Sequence, residues 1–109
     1  MSDKEKMIAI LKYVVQSKER HLSYKENGED DMEVVISMRK NYTDDNVDMI
    51  EVKLPWHDTI VGCYKSDEDL NHLWIGIEFS YMKTTKRIYR WFFYRNLDRM
   101  LEQCGIKVE

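Results

Sequence analysis

At 109 residues, 43% apolar and 34% charged, with a net charge of −3, the chain has the size and balance of one soluble globular domain. Two cysteines, Cys63 and Cys104, exclude a disulfide framework; they show no CxxC or Cys/His ligand spacing and read as reduced thiols of a cytoplasmic protein. The N-terminus reads as no secretory leader, no apolar run is long enough to span a membrane, and four glycines with one proline argue against a flexible linker.

Ser2 and Glu5 have the spacing of a capping box, in which each side chain satisfies a free backbone N–H of the first helical turn. Met7, Ile10, Leu11 and Val14 follow at helical spacing, with Ile8 and Val15 widening the stripe. The pattern predicts a helix from about Asp3 to Lys18 whose apolar stripe docks on a sheet.

Short alternating runs come next. Leu22 and Tyr24, then Met32, Val34, Ile36 and Met38, then Ile50, Val52 and Leu54 read as half-buried antiparallel strands. Asn27-Gly28 marks the first turn. A two-residue loop would pair Tyr24 with Asp31, setting apolar against acidic side chains. A three-residue loop pairs Tyr24 with Met32 and Leu22 with Val34, and the face argument favours it. Thr43 to Asp48 is a polar loop, Pro55 ends the third strand, and Thr59 to Tyr64 reads as a weaker fourth. Lys65 to Asn71 reads as an acidic turn.

Leu73, Ile75, Ile77, Phe79 and Tyr81 then alternate more cleanly than any other run. The stretch from Lys83 to Arg99 carries a local charge of +5 with five aromatics, against −8 for the rest of the chain. Tyr89, Phe93, Leu97, Met100 and Cys104 would share one face of a single helix over Lys86 to Cys104. The preferred alternative is a hairpin over 72–94 followed by a short helix from Asn96, stopped by Gly105. A loop at Lys83 to Thr85 would set Glu78 opposite Arg90, Phe92 beside Gly76, and Trp74 beside Tyr94, all favourable cross-strand neighbours. Such a hairpin is apolar on both faces. The face with His72, Trp74, Arg90, Phe92 and Tyr94 then needs a cover, which marks it as a candidate interaction surface.

No residue set specifies a reaction. His21, His57 and His72 lie far apart, Trp56-His57-Asp58 would point its neighbours to opposite faces of a strand, and neither cysteine has a base at catalytic spacing. Paired carboxylates at Asp30-Asp31, Asp44-Asp45 and Asp67-Glu68-Asp69 fall in turns, where acidic residues serve backbone geometry and solvation. Converging from one end of a sheet, they would form a negative edge that steers towards a basic partner.

The expectation is a single α+β domain over 1–109, with N-terminal and C-terminal helices packed on a mostly antiparallel sheet of five to six strands. The matching function is a non-enzymatic cytoplasmic protein that binds and occludes a protein target with a basic functional surface, such as a nucleic-acid-handling enzyme or a toxin. Toxin-immunity proteins and phage-encoded inhibitors share this build, an analogy at the level of architecture. Trp74, Arg90, Phe92 and Tyr94 would supply anchors, and Asp30, Asp31, Asp44, Asp45, Asp67, Glu68 and Asp69 would set approach and register. The alternative is a single-stranded nucleic-acid binder using Lys83, Lys86, Arg87, Arg90 and Arg95, which the acidic total charge disfavours. A homodimer whose two hairpins cover each other is the third reading. No catalytic residue, metal ligand or cofactor is assigned, and no membrane contact is expected.

Overall fold

The structure is a computed structural model that describes residues 1–39, 48–53, 55, 59–64, 67–75 and 94–107. Helix α1 spans Asp3–Gln16 and begins as its sequence requires. Glu5 N–H donates to Ser2 Oγ at 3.1 Å, and Ser2 N–H donates to a Glu5 carboxylate oxygen at 3.5 Å. The helix stops before the expected Lys18 because Ser17 takes extended backbone. The Ser17 hydroxyl donates to the Val14 carbonyl and accepts from Arg20 N–H, a local alternative to the helical ladder. Arg20 then adopts the left-handed region (φ 51°), turning the chain into the sheet.

Four strands follow: β1 His21–Lys25, β2 Glu33–Arg39, β3 Asp48–Lys53 and β4 Thr59–Tyr64. They form one antiparallel sheet in chain order. Leu22 pairs with Ile36 and Ile36 with Val52, so one face collects the buried positions Leu22, Tyr24, Val34, Ile36, Ile50 and Val52. These are the apolar members of the alternating runs, as period two demands. Leu54 lies outside the described residues.

The first hairpin differs from the expected register. Tyr24 pairs with Val34, not Met32, and Leu22 with Ile36, not Val34. Asn27 (φ 54°, ψ 24°) and Gly28 (φ 73°) do make the tight reversal their sequence encodes, closed by Glu29 N–H to the Glu26 carbonyl at 3.0 Å. A second 3₁₀ turn, Asp30–Met32, then inserts before β2. The partner slips by two residues, and an even slip leaves every side chain on its expected face. Met38, across from the α1–β1 corner, completes the junction by donating its N–H to the Arg20 carbonyl.

The sheet has four strands among the described residues, not five to six. The run that should have opened the fifth is helical. After a 3₁₀ turn at Asp67–Asp69, residues 70–75 form a helical segment, α2. Leu70, Leu73 and Trp74 recur at i, i+3, i+4 and are buried, while Ile75 is 51% exposed. The acidic residues just ahead of α2 favour a helix start through the macrodipole, which a strand reading ignores. The other arm of the expected hairpin also ends in helix at 94–95. The hairpin is thus overturned at both described ends, and residues 76–93 lie outside the described residues.

Helix α3 spans Leu97–Gln103, close to the short helix expected from Asn96. It ends in a Schellman motif: Ile106 N–H donates to the Leu101 carbonyl and Gly105 N–H to that of Glu102, both at 2.9 Å. Gly105 sits at φ 78°, where a side chain would be strained. Leu97, Met100 and Leu101 join Met7, Ile10, Leu11 and Val14 of α1, the sheet's apolar face, and Leu70, Leu73 and Trp74 in one core. Lys6 of α1 and Asp98 of α3 meet at 2.6 Å across the helix pair, and this contact raises the lysine pKa. The architecture is α+β, with helices on an antiparallel sheet. Among the described residues no helix is long and apolar enough to cross a membrane.

Candidate functional site

The described polar chemistry concentrates where the β1–β2 turn meets the entry to α3. Glu26, the first turn residue after β1, places its carboxylate against Arg95 and Asn96. Arg95 Nε and Nη2 donate to Oε2 at 3.0 and 2.8 Å, and Nη2 also reaches Oε1 at 2.6 Å. Asn96 Nδ2 donates to Oε2 at 2.7 Å. A carboxylate only accepts, so the Asn96 amide must face it through nitrogen, leaving Oδ1 to accept from the Tyr24 hydroxyl at 3.0 Å. Asn96 is 2% exposed, the one buried polar residue among those described, and its side chain is satisfied in both directions. The Asn96 amide and the Arg95 guanidinium hold the Glu26 carboxyl below its ordinary pKa, against the opposing effect of burial, with the Arg99 charge adding to them.

The same turn carries a second, exposed ion pair. Lys25 Nζ lies 2.6 Å from Asp30 and 3.9 Å from Glu33, raising the lysine pKa and lowering that of Asp30. At the far end of the corner, Gln103 Nε2 donates to the Ser23 carbonyl at 2.5 Å, tying the end of α3 to β1.

Of the expected aromatic anchors, Trp74 is 3% exposed and packs edge-on against Tyr94, with ring centroids 6.3 Å apart and planes at 86°. The two residues meet, as the hairpin pairing required, but both lie in helical backbone. Trp74 belongs to the core and gives no accessible contact area in this conformation. Tyr94 is half-buried against the same core. Arg90 and Phe92 lie outside the described residues, as do Lys83, Lys86 and Arg87. Arg95, the remaining member of the basic set, has its guanidinium engaged by Glu26.

The described acidic residues divide between the two ends of the sheet. Glu29 and Asp30 belong to the β1–β2 turn at the end where Lys25 pairs with Glu33. The other end is defined by Arg39, by Asp48 opposite Tyr64, and by the chain leaving β4 towards Asp67–Asp69. Three residues of extended chain reach only about 10 Å, so Asp67 stays close to that end. Glu68 there is exposed and Asp69 half-buried. Asp44 and Asp45, between Arg39 and Asp48 in the chain, lie outside the described residues. Nothing is described of the Asp31 side chain.

Among the described residues no group of His, Cys, Asp or Glu side chains is arranged to hold a metal ion. Cys104 is a free thiol whose pKa burial pushes up to about 11, so it carries little thiolate at neutral pH. A shallow cavity of about 450 Å³ beside the end of α3 is lined by Glu102, Gly105, Ile106 and Lys107 and gathers no convergent polar set. The sequence singled out none of the Tyr24–Glu26–Asn96 network. Asn96 lies 72 residues from Tyr24 and 70 from Glu26, and the packing of α3 against β1 brings them together. Comparison of the chain with protein-family models, with curated proteins and with solved structures gave no match.

Proposed function

We propose that the chain is a small non-enzymatic protein of the cytosol that binds a protein target and occludes a basic functional surface on it. The observation that supports this best is the sheet topology. Asp48 opens β3 opposite Tyr64, and the Asp67–Asp69 turn follows the same end of β4 within three residues, so the described acidic residues Asp48 and Asp67–Asp69 gather at one end of the sheet. A negative edge on a chain of net charge −3 steers towards positive surfaces and speeds their encounter. Glu29 and Asp30 sit at the opposite end, where Asp30 is paired with Lys25, so that turn is a weaker contributor. Of the expected anchors, Arg90, Phe92 and Tyr94 remain contact candidates, and Trp74, 3% exposed, would support contact only indirectly, through its packing on Tyr94. Toxin-immunity proteins and phage-encoded inhibitors remain the architectural analogy.

A nucleic-acid target is less well supported, because Arg95 is bound to Glu26 and would have to exchange a bidentate carboxylate for a phosphate. The experiment is capture from lysate with the tagged chain, with and without nuclease, repeated with Asp67, Glu68 and Asp69 reversed to lysine. A stoichiometric protein partner that survives nuclease, and that the reversed variant captures more slowly, supports the proposal. Partners that vanish with nuclease overturn it in favour of nucleic-acid binding.

A further inference from the structure

We infer that the outer edge of β1 is a strand-pairing surface for a second copy of this chain, and that Gln103 holds it closed. Two bonds on opposite sides of the strand fix its direction. The Arg20 carbonyl accepts from Met38 N–H in β2, so the next amide, that of His21, points away from β2. The Ser23 carbonyl accepts from the Gln103 amide at the end of α3, on that outer side. Alternation then turns the main-chain groups of Leu22 and Tyr24 towards Ile36 and Val34, and those of His21, Ser23 and Lys25 outward. Among the described residues β1 ends the sheet, His21 and Lys25 are exposed, and Gln103 is the one partner of the outward groups of His21 and Ser23. An open row of this kind is a template for another strand.

The edge is complementary to itself. An antiparallel copy centred on Ser23 sets Ser23 against Ser23 and the Lys25 N–H against the partner's His21 carbonyl, about four main-chain bonds around a two-fold axis. Leu22 then lies beside Tyr24 on the core face, and His21 beside Lys25 on the other. Lys25 already faces Asp30 and Glu33 in its own chain, so it brings no unopposed like charge against His21. The Ser23 hydroxyl is spent on Glu33, which leaves its main chain as the pairing group. Gln103 occupies the central carbonyl, the one on the axis, so two copies pair only by giving up that bond twice. The inference does not depend on the proposed target, which is assigned to other residues.

Sedimentation equilibrium of the full chain tests this, comparing the parent with Gln103→Ala up to about 1 mM, where weak pairing registers. Gln103→Ala should dimerise at least about ten-fold more tightly than the parent, the scale of two released hydrogen bonds. Isotope-filtered nuclear magnetic resonance on a mixture of labelled and unlabelled Gln103→Ala should show contacts between Leu22 of one chain and Tyr24 of the other. Along one strand those two residues lie about 7 Å apart, so the contact reports the register about Ser23. Adding Ser23→Pro removes the central outward donor and spares the bonds to β2, a change an edge strand tolerates, and should return association to the parent's level or below. Equal association of the parent and Gln103→Ala overturns the guard. A monomeric Gln103→Ala at about 1 mM, or a dimer without the Leu22–Tyr24 contact, overturns the pairing surface, since loosening of α3 alone would give association with no register. Should the proline variant fail to fold, the contact between chains decides by itself.

Discussion

Residues 1–39 and residues 67–75 carry similar apolar patterns, but only the first folds as its pattern suggests. In α1, Met7, Ile10, Leu11 and Val14 fit a period of 3.6 and no other, and all four are fully buried. In β2, Val34 and Ile36 fit a period of two within a β-branched run. The later stretch fits both. Leu73 and Ile75 open the alternation that continues through Ile77, Phe79 and Tyr81, while Leu70, Leu73 and Trp74 complete a helical stripe. Three acidic residues ahead of Leu70 sit where a helix N-terminus gains from negative charge. The longer pattern loses, at least over 70–75, because local start signals and the i, i+3, i+4 triplet act on the same few residues.

The largest expected effect separates the two readings of Trp74. As a core residue packed on Tyr94, its replacement by alanine should cost about 3–5 kcal/mol, read from the midpoint of urea unfolding. A surface anchor on a hairpin would cost under about 0.5 kcal/mol in the free protein and act only on binding. A small stability change would therefore restore the hairpin and the accessible anchor together.

Most of the fold was legible wherever local chemistry and periodicity agree. The capping box at Ser2 and Glu5, the alternation of β1 to β3, the bounds of β4 and the stop at Gly105 each follow from residues within a few positions of one another. The hairpin register was legible only as a face, since the Asp30–Met32 turn adds residues without changing which side chains point inward. The polar corner was not legible at all. Nothing near Glu26 calls for Asn96, and nothing near Asn96 calls for Tyr24; their pairing is a product of docking α3 on β1. Of the candidate interaction residues, Trp74 is buried and Arg95 is held in an ion pair, both consequences of tertiary packing that composition does not encode.

The corner makes a prediction of intermediate size that depends on pH. The folded Glu26 carboxyl titrates below its ordinary value of 4.5, first because of the Asn96 amide and then because of Arg95. Its stabilisation is therefore fully present above the unfolded pKa and is lost as pH falls through the folded one. Glu26→Gln should be clearly less stable than the parent at neutral pH. The gap should shrink as pH falls through 4.5 and continue to close below it, where the depressed folded carboxyl at last takes up its proton. A gap that stays constant through that fall would remove the carboxylate's charge from the account. Asp30 is also depressed, by Lys25, but is exposed, so Asp30→Asn should barely alter the acid limb.

Two helix ends should give about 1 kcal/mol each by thermal or urea unfolding. Ser2→Ala removes the capping oxygen of α1. Gly105→Ala imposes a left-handed conformation on a side chain at the end of α3, with no atom near enough to add a clash. Similar costs would show that the two helices are terminated equally well by local chemistry, although α3 has half the length of α1.

The smallest expected effect discriminates most sharply between the two periods. Ile75 is 51% exposed in α2, whereas a strand through Leu73, Ile75 and Ile77 would put it on the same face as the buried Leu73. In the helix, Ile75→Ala exchanges a β-branched residue for the best helix former at a half-exposed site, and the change should stay within about 0.5 kcal/mol of the parent. In the strand the same substitution would empty a core position and cost about 2–5 kcal/mol. Leu73→Ala is costly in either arrangement and cannot separate them. The ratio of the two costs therefore reports the local period directly: strongly unequal for a helix that buries Leu73 and exposes Ile75, and nearly equal for a strand that buries both.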